Sequence, residues 1–175
     1  KKVVFIEANP NLASGLRDRF TGQADVEVIE AAASDTEGRA TFNITNMDQS
    51  SSLLPLKEHA CLYPEIKVDP SIDVRTARID DLLVEARVDF QTIDFIAMDI
   101  QGAELMALKG AKRCLDNVKA LQIEVNYKQL YEGCALIFEI DEFLVKHDFI
   151  RVHTQTPYSE TWGDALYVRR PMVGC

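Results

Sequence analysis

Acidic and polar groups stand where the apolar stretches of this 175-residue chain end. Glu7 follows Val3-Val4-Phe5-Ile6, and Ser34-Asp35 follow the stretch that starts at Val26. Asp99 falls at the end of Ile93–Ile100, and Glu124 and Asn126 fall at the end of Leu121–Val125. In open parallel sheets, ligands bind beyond the carboxyl ends of the strands, so these are the positions that can do chemistry. A carboxylate such as Glu7 at the end of an early strand can accept a hydrogen bond from each of two ribose hydroxyls. Asp99 interrupts an apolar run, and a partly buried charge ordinarily has a partner or a task. A carboxylate within hydrogen-bond reach of an acceptor hydroxyl can take its proton. That makes Asp99 the first candidate base and Glu124 the second. Plain alternatives stand beside each reading. Glu7 can be a surface acid favoured by a helix dipole, Glu124 a buried structural acceptor, and Ser34-Asp35 a turn before Gly38.

Other chemistries find no support. No Gly-x-Gly-x-x-Gly is present to receive a pyrophosphate, which argues against a dinucleotide-dependent oxidoreductase. His59, His147 and His153 are scattered, and no Ser–His–Asp or Cys–His arrangement emerges. Cys61, Cys114, Cys134 and Cys175 form no Cys-x-x-Cys pair, so they read as reduced thiols of a cytoplasmic protein, with Cys114 in the core. Oxygen ligands suit magnesium, so Asp99, Glu124 and Asn126 could hold a divalent metal, a weaker reading than none.

The elements that must position these residues follow from periodicity. Val3–Ile6 is a β-branched run of the kind found in buried parallel strands. Asn9 as N-cap and Pro10 in the first turn open a helix through Leu12, Leu16 and Phe20. Val26–Ile29 and Ala40–Ile44 read as strands, and Val74–Ile79 as an extended segment before a helix opened by Asp80-Asp81. Between them, residues 46–70 carry loop signals, and long loops in compact domains are often functional. Leu105, Leu108, Ala111 and Leu115 mark one helical face after Gln101-Gly102. Ile137, Ile140, Phe143 and Leu144 mark another, and Phe149–Val152 and Ala165–Val168 close the chain as strands. Alternating strands and helices predict an α/β fold with a mainly parallel sheet in one domain over residues 1–175.

Composition agrees. Apolar residues make up 47% and charged residues 27%, as in ordinary globular proteins. A chain of this length buries roughly two-thirds of its unfolded surface, enough to fold without metal or disulfide. Against 28 Asp and Glu there are 19 Lys and Arg, a net charge of −9, which argues against nucleic acid and anionic membrane as partners. No run approaches the roughly 18 apolar residues of a membrane span.

With these residues in place, the chain resembles the FkbM family of S-adenosylmethionine-dependent methyltransferases. The resemblance runs from Val3 to about Arg169. It is carried by Val4-Phe5-Ile6-Glu7-Ala8-Asn9-Pro10, Ala32-Ala33-Ser34-Asp35, Ser50-Ser51-Ser52-Leu53-Leu54 and Thr76-Ala77-Arg78-Ile79-Asp80. Asp99-Ile100-Gln101-Gly102-Ala103-Glu104 is the most diagnostic piece, and Ile123-Glu124-Val125 the last. The resemblance implies a Rossmann-like class I methyltransferase fold, mostly parallel, with an antiparallel strand near the carboxyl end. It implies S-adenosylmethionine as cofactor and methyl transfer to a hydroxyl of a sugar or secondary metabolite, so the partner is a small-molecule or glycan acceptor. By position, Glu7 would hold the cofactor ribose, and Ala33, Ser34 and Asp35 would lie beside its adenine. Asp99 would sit near the reacting methyl group, with Glu104 and Glu124 lining the same cleft. Gln101 stands where the family commonly has an acid. The family's first strand and glycine-rich loop precede the segment matching Lys1, so residues upstream of Lys1 are expected to supply them. Their lack here favours one rival reading, a non-catalytic nucleoside-binding or interaction module on the same fold.

Overall fold

The computed structural model of the chain describes residues 2–156 and 160–171, so Cys175 lies outside the described residues. Strand β1 (Val3–Glu7) runs into helix α1 (Pro10–Arg19). The turn between them is built as the sequence predicts. Asn9 Oδ1 accepts from the Asn11 N–H at 3.0 Å, and Pro10 occupies the first turn, where its missing N–H costs nothing. Strand β2 (Val26–Glu30) pairs with β1 in parallel, Val3 opposite Val26 and Glu7 opposite Glu30.

The chain then changes ladder. Strand β3 (Ala32–Ala33) pairs in parallel with β5 (Val68–Ala77), which pairs antiparallel with β4 (Gly38–Thr45). β5 begins earlier than expected, inside the stretch read as loop. That stretch also holds a 3-10 turn at Asp48–Ser50 and a short helix, α2 (Glu58–Leu62). Elements this short carry too few residues to show a period.

Helix α3 (Ile79–Glu85) leads to strand β6 (Phe95–Met98), shorter than the apolar run that predicts it. The helical face from Leu105 to Leu115 proves to be two helices, α4 (Glu104–Lys109) and α5 (Lys112–Leu115). Gly110 explains the break. A Cβ there would lie 2.1 Å from the Ser34 carbonyl oxygen, so the chain passes against β3 where no side chain fits. Asp80 explains the restart, because its carboxylate accepts from the Arg113 and Cys114 N–H groups at 2.9 and 3.0 Å. Asp80 thus caps α5 as well as standing in the first turn of α3. We expect Gly110→Ala to destabilise the protein by about 2 kcal/mol, as overpacking against backbone does, measured by urea denaturation.

Strand β7 (Ala120–Asn126), helix α6 (Ile137–Val145), and strands β8 (Phe149–Gln155) and β9 (Trp162–Arg169) complete the fold. The last sheet runs β6-β7-β9-β8, with β6 parallel to β7 and both other ladders antiparallel. The fold is α/β, and its sheets are mixed rather than mainly parallel. Three ladders are parallel and three antiparallel among the described residues. The antiparallel pairing near the carboxyl end is as expected. In the described residues β1 bonds only to β2 and β6 only to β7. The main core lies between β7 and helices α4 to α6, where Leu108, Leu115, Leu121, Ile123, Ile140 and Leu144 are fully buried. Cys114 is in this core, as predicted. No described helix is long and apolar enough to cross a membrane.

Candidate active site

The carboxyl ends of β1 and β6 open onto one cavity of about 300 Å³. Glu7, Ala33 and Asp99 all line it, with Ala31, Phe42 and Leu53 supplying apolar wall. That volume and lining fall at the small end of ordinary ligand pockets. Glu7 is fixed at the β1 end, its Oε1 accepting from the Asn9 N–H at 2.7 Å. Burial raises the Glu7 carboxyl, and the backbone N–H groups of Asn9 and Ala8 oppose that rise.

The remaining predicted residues stand around this cavity rather than on its wall. Ser34 is buried behind it, its hydroxyl 3.4 Å from Asp35 Oδ1, and Asp35 faces solvent. Glu104 is buried in the first turn of α4, where Oε1 accepts from the Ile100 and Gly102 N–H groups, both at 3.1 Å. Glu124 is buried on β7, opposite Asp164 on β9.

What joins these acids is Gln101, noted in the sequence only as standing where the family commonly has an acid. Its Nε2 donates to Asp99 Oδ1 at 2.6 Å and lies 3.2 Å from each oxygen of Glu124. Its Oε1 accepts from the hydroxyl of Tyr131, a fully buried residue. The only sequence signal for this was Gly102, which follows a residue in the left-handed region: Gln101 has φ 56° and Gly102 φ 96°. Gly102 must also stay bare, because a Cβ there would meet Cys134 Cβ at 2.9 Å.

The electrostatics are those of crowded carboxylates. Burial pushes Glu104 up to about 7 against its backbone donors. Burial, then the charges of Asp99 and Glu104, push Glu124 up to about 9. Asp99 keeps solvent contact on its cavity side while protein closes in on the others. Desolvation raises it, and the Gln101 hydrogen bond opposes the rise. At neutral pH, Glu124 therefore holds a proton.

A carboxyl raised on folding binds its proton more tightly folded than unfolded, so its stabilisation is full below the unfolded pKa and lost as pH rises through the folded one. Stability should therefore fall from about pH 4.5 to about 7 through Glu104 and on to about 9 through Glu124. The Glu104 part is roughly 3 kcal/mol. Urea denaturation across this pH range checks it, and Glu124→Gln should flatten the alkaline limb.

Asn126 is fully buried on the same face of β7 as Glu124, and neither of its amide atoms has a partner among the described residues. No group of three or more His, Cys, Asp or Glu side chains among the described residues is placed to hold a metal ion. The divalent-ion reading of Asp99, Glu124 and Asn126 thus gains no third acidic ligand. His147 packs its ring on Phe143 at 4.7 Å, just beyond the end of α6.

Comparison with known proteins places the chain in a family. The methyltransferase FkbM domain matches residues 1–151, and the chain belongs to that family. Over 134 residues it is 33% identical to the 2-O-methyltransferase NoeI of Sinorhizobium fredii (strain NBRC 101917 / NGR234). That alignment covers 73% of this chain and 54% of the relative, so the chain spans about half the length of the curated relative it matches. A partial structural likeness is to the magnesium protoporphyrin IX methyltransferase of Synechocystis PCC 6803 with bound SAM. Its TM-score is 0.36 at 15% identity, over 47% of this chain and 43% of that one.

Proposed function

We propose that this chain is an S-adenosylmethionine-dependent O-methyltransferase of Rossmann-like class I type, acting in the cytoplasm on a hydroxyl of a sugar or secondary metabolite. The observation that carries the reading is one cavity shared by Glu7 and Asp99 at the ends of two strands. Family membership and the 2-O-methyltransferase relative support it. The chain's residues suit the cofactor. Glu7 offers a fixed acceptor for a ribose diol, and Ala31 and Ala33 leave room beside Phe42 and Leu53 for a flat base. Ser34 and Asp35 follow at the end of β3. When bound, the cofactor would supply an electrophilic methyl group on its sulfonium, with S-adenosylhomocysteine as the neutral thioether leaving group. Asp99, ionised and facing the cavity, takes the acceptor proton. Holding the acceptor in line supplies a further part of the rate. Glu124, protonated at neutral pH, stands behind as a reserve acid rather than a resting base.

Labelled S-adenosylmethionine offered with a panel of neutral oligosaccharides tests this. Label on a hydroxyl oxygen supports the reading, and label on nitrogen alone contradicts it.

A further inference from the structure

Gln101 is held from behind before it reaches the acids. Its backbone sits in the left-handed region, which a long side chain seldom adopts and which in folded proteins is kept by surrounding contacts. Two contacts do so here. The Ser52 hydroxyl, 1% exposed, donates to the Gln101 carbonyl at 2.6 Å and accepts from the Leu54 N–H at 2.9 Å. The Tyr131 hydroxyl donates to Gln101 Oε1. That bond also fixes which way the amide points, since an amide oxygen turned to Asp99 and Glu124 would face two acceptors.

We propose that Gln101 is the positioning residue of this site. Its amide, locked by Tyr131 and Ser52, donates to Asp99 and Glu124 together and so keeps the Asp99 carboxylate ionised at the cavity. This rests on the reading of Asp99 as the base. The amide donates to one of the two Asp99 oxygens, Oδ1. It matters because the other titratable groups that act on Asp99 are acids: Glu124 from β7, Asp164 from β9 and Glu104 from α4. The Gln101 hydrogen bond is the larger of two that favour ionisation of Asp99, the other coming from Glu124. An acid at this position, which the resemblance makes the common residue, would add a further carboxyl to the cluster. The glutamine thus separates two acids without a charge of its own.

The test reads the Asp99 carboxyl itself. Protein labelled with 13C at the aspartate carboxyls is titrated by NMR, with Asp99→Asn assigning the resonance. Gln101→Leu should raise the Asp99 midpoint by about one pH unit, the worth of one hydrogen bond to a charged group. An unchanged or lowered midpoint overturns the proposal. Gln101→Glu keeps the side-chain shape should the leucine variant fail to fold. It should raise the midpoint too, and no rise overturns the proposal equally. The readout is a carboxyl titration, so failure of the cofactor reading would appear separately, in cofactor binding.

Discussion

Asp99→Asn should lower the methyl-transfer rate by about 10²- to 10⁴-fold, the usual worth of a positioned general base. Cofactor affinity should be nearly unchanged. The substitution is close to isosteric, and the asparagine oxygen can still accept from Gln101 as Asp99 Oδ1 does at 2.6 Å. What it removes is the Asp99 carboxylate on the cavity wall, the proposed base for the acceptor proton. It should also lower the pKa of Glu124, since the Asp99 charge is among the causes that push that carboxyl up to about 9. The alkaline loss of stability should then be smaller and end at lower pH. Single-turnover transfer, with any acceptor the unmodified protein methylates, separates the chemical step from binding. Full turnover with cofactor bound would remove Asp99 from the base role.

Glu7→Ala should cost about 10²-fold in affinity for S-adenosylmethionine, as loss of a charged acceptor for two hydroxyls implies. Glu7→Gln should fall between, since one acceptor oxygen survives. Both substitutions disturb the bond from the Asn9 N–H to Glu7 Oε1. Circular dichroism and thermal unfolding must therefore show an intact fold before the loss is read as a ligand effect. The Asn9 cap on α1 should preserve it, because Asn9 Oδ1 still accepts from Asn11.

The two ends of this site were legible in the sequence for a physical reason. Apolar runs that stop at a carboxylate mark strand ends. Glu7 and Asp99 stand at the ends of strands in two separate sheets and share a cavity. Glu124 was legible as a buried acid but not as one set behind another residue, because a strand pattern gives the face and not the depth. Glu104 entered only through the family resemblance, since a first-turn acid ordinarily serves its helix dipole. Gln101, Ser52 and Tyr131 could not be read at all as a unit. They lie on separate segments and meet only because a left-handed turn swings Gln101 between them. The same limit explains the split of α4 from α5. Apolar spacing continued across Gly110, and what requires a glycine there is the Ser34 carbonyl, distant in sequence. The antiparallel β4–β5 ladder was hidden for a different reason, since β5 begins within a segment carrying prolines at 55, 64 and 70.

The most direct measurement is calorimetric titration of the chain with S-adenosylmethionine and S-adenosylhomocysteine, in parallel with Glu7→Ala. The account predicts saturable binding of both, at one site, weakened about 10²-fold in a variant that remains folded. Binding that Glu7→Ala leaves unchanged would contradict the placement of the ribose. No binding of either ligand by the folded protein would contradict the cofactor cavity itself and leave a family member serving as an interaction module.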